Sequence, residues 1–153
     1  MNLWIAPAAF LIVALCAGCA GSPSTGELPV RNLAKGAFSA LETGGELVIR
    51  NRTEWSELWQ NHARVQTGTA IPEVNFEREM VIAVTLGRRS TGGHGIEITR
   101  VERTGNGLRV EVTRTAPARG AMTIQALTAP FHFVAVPASD LAVRFVEKEP
   151  GTR

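Results

Sequence analysis

Beyond Cys19 the chain has no cysteine at all. The mature domain therefore has no disulfide framework, no thiolate metal site and no cysteine nucleophile, and an exported domain of this size must rely on its apolar core. A block of like charge is also missing. Sixteen Lys and Arg stand against fourteen Asp and Glu, for a net charge of +2. The arginines are scattered along the chain, which argues against nucleic-acid binding. Three histidines, His62, His94 and His132, lie too far apart for a recognisable zinc motif, and HExxH, GxSxG and Walker signatures are absent. No cofactor or metal is expected and no catalytic constellation assembles, so the domain reads as non-enzymatic. Apolar content of 44% and charged content of 20% are those of a globular chain.

The compact apolar run from Phe10 to Leu15 is too short to span a bilayer, which needs roughly twenty apolar residues. Residues 1–19 lack charge, and Phe10 to Leu15 form a compact apolar run followed by small residues, the pattern of an export signal. Leu15-Cys16-Ala17-Gly18-Cys19 resembles a bacterial lipobox, with Cys19 as the acylated residue. It departs from the usual motif at Cys16 and in lacking an early Lys or Arg. The alternative is ordinary cleavage near Ala20, giving a soluble secreted protein. The expected organisation is a signal peptide over 1–18, a flexible tether over 19–35 containing Ser22-Pro23-Ser24-Thr25-Gly26, and a β-rich domain over 36–148. A lipid-anchored envelope location follows, at the outer membrane if the cell has two.

Within the domain, Ala37 to Leu41 is expected as a short strand and Glu46 to Arg50 as a second. Thr53 is the expected cap of one helix, with Glu54 and Glu57 near its start and Trp55, Leu58, Trp59 and His62 on one face. The tryptophans read as core and His62 as an edge residue. Gln66 to Glu79 reads as a polar loop anchored by Val74 and Phe76. Met80 to Leu86 is apolar on both faces, as in a central strand covered on both sides. Leu108, Val110 and Val112 alternate with polar residues, and Gly105-Asn106-Gly107 joins that strand to Ile96–Val101 as a hairpin. Glu97, Glu102 and Glu111 read as solvent-facing. Met122–Leu127, Pro130–Val136 and Leu141–Val146 are further expected strands. The fold class is mainly β, an antiparallel β-sandwich-like or partly open barrel domain with one amphipathic helix.

The most unusual local feature is the run from Gly87 to Gly95. Its glycines permit positive φ, its backbone amides are suited to a carboxylate or a peptide strand, and Arg88 and Arg89 add charge. The alternative is an ordinary glycine-rich connection with solvated arginines. Arg88, Arg89, Thr91, Gly92, Gly93 and His94 are the partner-binding candidates.

Several motifs in order carry a family resemblance: Glu54-Trp55-x-x-Leu58-Trp59, Val74-Asn75-Phe76, Met80 to Val84, Leu86-Gly87, Ser90-Thr91-Gly92-Gly93-His94, and Thr128-Ala129-Pro130-Phe131 running on to Pro137. Together they resemble the PrcB C-terminal domain over roughly Thr53 to Val146. His94 stands where that family often has an aromatic residue, and Ala121 near where it often has a cysteine. The resemblance implies a small lipoprotein subunit that binds and stabilises a larger extracytoplasmic protease. Two other functions compete. Thr91-Gly92-Gly93 is similar to a chagasin-type inhibitor loop, which implies a protease inhibitor, and a small hydrolase with an unrecognised site is the third.

Overall fold

The computed structural model describes residues 26–65 and 69–148. Cys19, the expected signal peptide and the start of the expected tether lie outside the described residues. Eight strands and one helix follow in order: β1 (Gly26–Glu27), β2 (Arg31–Gly36), β3 (Thr43–Ile49), α1 (Arg52–His62), β4 (Glu79–Gly87), β5 (Gly95–Thr104), β6 (Gly107–Thr115), β7 (Phe131–Pro137) and β8 (Ala142–Lys148), with a 3-10 turn at Ala63–Val65 after the helix. They form two four-stranded sheets, ordered β1-β5-β6-β8 and β2-β7-β4-β3. All pairings are antiparallel except β6 with β8. This is the expected mainly β sandwich.

Side-chain parity along β4 explains the layering. Met80, Ile82 and Val84 point into the space between the sheets, where they meet Ile96, Ile98, Val101, Leu108, Val110, Val112, Val134 and Val136. Val81 and Ala83 point the other way, towards Trp55, Leu58, Trp59, Phe131 and Phe133 under the helix. A strand buried on both faces has no polar alternation to show, which is why 80–86 reads as one apolar run.

The helix begins at Asn51, not at Thr53. The Asn51 side chain accepts the Glu54 N–H at 2.9 Å, satisfying one of the donors that a helix start leaves unpaired. Trp55 and Trp59 lie on the inner face as expected, and their indole N–H groups donate to the carbonyls of Pro72 and Thr69. The 69–76 segment is thereby tied over the helix, with Val74 buried beneath it. His62 is not an edge residue. It is buried against Phe131, Phe133 and Trp59.

Three further expectations change. Order begins before position 36: β1 pairs with β5 and β2 with β7, so residues 26–35 belong to the sheets rather than to a tether. Residues 37–41 are not a strand; they form the link from β2 to β3. Residues 122–127 are not a strand either.

The outer face of the first sheet carries a charge ladder, in which Arg100 meets Glu27 and Glu102, and Arg109 meets Glu111. Arg114, at the rim, bridges Glu46 of the second sheet and Glu147 of β8. Glu97 is exposed there as expected, while Glu102 and Glu111 are half-buried within the ladder. Exposed pairs of this kind contribute little stability, about 0–1 kcal/mol each, but they leave the face without a strong field of either sign.

Candidate functional site

The run from Gly87 to Gly95 leaves the end of β4 and returns as β5. Gly87 makes that exit possible. Its φ is +68°, and a Cβ there would lie 2.5 Å from the Gly44 nitrogen and 2.6 Å from the Glu42 carbonyl oxygen, so only glycine lets β3 and β4 close at this point.

Three of the loop's backbone amides are engaged within the fold. Arg88 N–H donates to the Glu42 carbonyl, Arg89 N–H to that of Thr128, and Gly92 N–H to that of Ile124. Thr128 returns its own N–H to the Arg89 carbonyl and its hydroxyl to the Thr91 carbonyl. The loop is thus zipped to residues 117–128 of the segment that joins β6 to β7. Gly92 is buried, with Ile124 occupying the space a Cβ would need, and Gly93 has φ +82° beside Pro117. The Thr91 hydroxyl lies 3.4 Å from His94 Nε2. Arg88 is exposed and meets Glu42 at 3.3 Å; Arg89 is half-buried. The six candidates are therefore brought together at one end of the sandwich, with the backbones of Arg88, Arg89, Thr91 and Gly92 bonded into the scaffold and the Arg88 side chain exposed.

The surface that sequence reasoning missed is the opposing segment. Met122, Ile124 and Leu127 are 103%, 68% and 58% exposed, and Phe38, from the β2–β3 link, is 54% exposed. Read as a strand, 122–127 would have placed these side chains in the core. Pro117, Gly120 and Pro130 around the run were the signals against that reading. Phe38 and Leu127 share a groove of about 470 Å³ with Leu41 and Ala129, and Glu42 and Arg88 stand at its rim.

Two buried histidines border this end. His62 Nδ1 lies 2.9 Å from the Ser39 hydroxyl, whose oxygen also accepts the Leu41 N–H. Burial pushes the His62 pKa below its usual value. The pair fastens the 37–42 link to the helix, since its ring is enclosed by Trp59, Phe131 and Phe133. His132, on the inner face of β7, accepts the Ile98 N–H at 2.9 Å through Nδ1, next to the β5 bulge between Ile98 and Arg100. Burial, aided by nearby Lys35 and opposed by Glu97, lowers its pKa to about 4. Both rings thus serve as neutral structural links. Among the described residues no group of three His, Cys, Asp or Glu is placed to hold a metal ion.

Residues 80–137 match the family model described as PrcB C-terminal. The resemblance is borne out over that stretch, which is shorter than the Thr53–Val146 span the motifs suggested and runs from the start of β4 to the end of β7. It contains the whole 87–95 loop and the whole segment facing it. No curated protein and no solved structure matches the chain.

Proposed function

We propose that this PrcB-type chain is a non-enzymatic extracytoplasmic lipoprotein that binds and stabilises a partner protein, a protease complex being the partner class. The observation that carries the reading is the overlap of the matched residues, 80–137, with the loop-bearing end of the sandwich. Loops held by a rigid scaffold are where recognition is usually placed, and this loop pair is fastened at Arg89–Thr128 and Gly92–Ile124. The chemistry of the polar groups supports binding over turnover. The Ser39 hydroxyl and the His62 ring are held by a backbone N–H and an aromatic enclosure, in a setting suited to packing.

Cys19 is the proposed lipid attachment site. At no more than about 3.5 Å per residue, the seven steps from Cys19 to Gly26 would hold β1 within roughly 25 Å of the acylated residue. That keeps the domain near the membrane surface.

Crosslinking and affinity capture of the tagged full-length chain from its native envelope tests the proposal. A protease should be recovered, and its abundance should fall when the chain is deleted. Replacing Arg88 and Arg89 together with alanine should weaken capture while the melting temperature stays within a few degrees, because exposed charges contribute under about 0.5 kcal/mol. Cys19→Ala should abolish lipid labelling. Capture of no protease, or a protease indifferent to the deletion, refutes the function; persistent labelling of the Cys19 variant refutes the anchor.

A further inference from the structure

Among the described residues the sandwich has four edge strands, β1 and β8 in one sheet and β2 and β3 in the other. An edge strand leaves alternate N–H and C=O groups without a ladder partner, and proteins blunt such edges by brevity, charge or irregular pairing. β1 has two residues. β2 carries Arg31 and Lys35, and its register shifts between Asn32 and Ala34. β8 carries Arg144, Glu147 and Lys148. β3 has none of these devices. It pairs with β4 over seven residues without a shift, and its one charged residue, Glu46, is held by Arg114 at 2.9 Å.

The ladders of β4 fix which groups of β3 are turned to the edge. Leu86 N–H donates to the Pro130 carbonyl and Ala138 N–H to the Arg78 carbonyl, one at each end of the β4–β7 ladder. The even-numbered residues of β4 therefore bond towards β7 and the odd-numbered ones towards β3. Gly45, Leu47 and Ile49, opposite Thr85, Ala83 and Val81, use their N–H and C=O groups on β4, so Glu46 and Val48 turn theirs away from it. From Thr43 to Leu47 the strand is exposed, and at Gly44 and Gly45, which have no side chain, that exposure is backbone. Leu47 shares the helix-side face with Ile49, yet it is 45% exposed while Ile49 is buried.

Register selects the occupant. An edge whose single charge is already paired calls for an incoming strand without free charge, with an apolar residue to set against Leu47. The β3 of a second copy meets both needs. Outward-turned residues bond only to outward-turned residues, so an antiparallel pair of β3 strands about a two-fold axis centres on Gly45, Glu46 or Leu47. Centring on Glu46 sets two carboxylates opposite each other. Centring on Gly45 sets glycine against glycine and leaves Leu47 against Thr43. Centring on Leu47 brings the two Leu47 residues together, about 4.5 Å apart at Cα in a non-hydrogen-bonded pair. Glu46 of each copy then exchanges backbone bonds with Val48 of the other. Pairing occupies this edge on both copies, so assembly stops at two.

We infer that β3 pairs with β3 of a second copy of this chain, antiparallel and centred on Leu47, joining the two four-stranded β2-β7-β4-β3 sheets into one continuous sheet. The two-fold axis stands perpendicular to that sheet, so both helices lie on the same side of it. The inference is separate from the protease-binding function proposed above, since it assigns a contact between copies and no other partner.

Sedimentation velocity of the full-length chain over a concentration series should show a monomer–dimer equilibrium. Leu47→Asp, which sets like charges opposite each other across the axis, should weaken it roughly tenfold or more. Its melting temperature should stay unchanged, because the position is 45% exposed. Leu47→Cys should give a disulfide-linked dimer under oxidised glutathione, with the wild type run beside it as the control for Cys16 and Cys19. Gly45→Cys, where a new Cβ meets nothing within 4 Å, should give none. The Leu47-centred register holds those two positions roughly 13 Å apart, beyond the reach of a disulfide. A monomer at every concentration, a dimer indifferent to Leu47→Asp, or linkage through Gly45→Cys instead of Leu47→Cys overturns the inference. So does a monomeric chain whose capture of an envelope protease is lost in Leu47→Asp, which assigns the edge to that protease.

Discussion

Acidification to pH 4 should remove a definable share of the domain's stability through one side chain, His132. In the folded protein its Nδ1 accepts the Ile98 N–H, and a proton there would destroy that bond and place a charge between the sheets beside Lys35. The folded pKa is about 4, against an ordinary 6.5. Between those values the unfolded chain binds a proton that the folded one refuses. The stabilisation is therefore complete above pH 6.5 and is lost as pH falls towards 4. A difference of that size is worth about 3 kcal/mol at roughly 1.4 kcal/mol per pH unit, a large fraction of the 5–15 kcal/mol typical of a domain. Urea unfolding at intervals from pH 7.5 to 4 measures it directly. His62, also lowered by burial, acts in the same direction. Glu79, whose pKa is depressed mainly by its hydrogen bond to Arg31, adds a further loss only below the ordinary carboxylate range. His132→Asn separates the contributions, because its side-chain carbonyl can take the Ile98 N–H without titrating. The variant should be weaker at pH 7.5 yet lose much less on acidification. Flat stability from pH 7 to 5 in the wild type, or the same slope in the variant, would refute the assignment.

Gly87→Ala should destabilise by more than about 2 kcal/mol, since it combines a positive φ with backbone atoms inside contact distance of the new Cβ; thermal melting checks this, and a shift of less than a degree would contradict it. Trp55→Ala, at a site 1% exposed with its ring edge-on to Phe133 at 5.9 Å, should cost about 3–5 kcal/mol in chemical unfolding. An unchanged midpoint there would mean that the helix is not a structural lid.

What the sequence made legible were the elements whose pattern is local. The 3.6-residue spacing of Trp55, Leu58, Trp59 and His62 declared a helix face, and the alternation from Leu108 to Val112 declared a half-buried strand, both as found. β2 was missed because Arg31-Asn32-Leu33-Ala34-Lys35 is polar, and its pairing with β7 is broken by an irregularity between Asn32 and Ala34. His62 reads as polar, yet its burial depends on Ser39 supplying a partner from 23 positions away. The 87–95 loop was conspicuous from its glycines and arginines. The segment that occupies its amides was not, since Arg89 meets Thr128 across 39 positions and no local pattern encodes that meeting. Apolar composition at 122–127 suggested a strand for the same reason: whether a side chain has an opposing sheet is decided by tertiary structure.

The distribution of bonds separates scaffold from working surface. β4 is paired along its length by β3 on one side and β7 on the other, and its side chains are buried in both apolar layers. Residues 117–128, by contrast, are fastened to the loop by the Arg89–Thr128 bridge, the Gly92–Ile124 hydrogen bond and the Thr128 hydroxyl. Segments with few buried contacts and open backbone groups occupy the low end of a protein's stability range, and elements that rearrange on binding are drawn from that end. The 117–128 segment should therefore exchange its amide hydrogens sooner than β4 does, and equal protection of the two in hydrogen exchange would contradict this division.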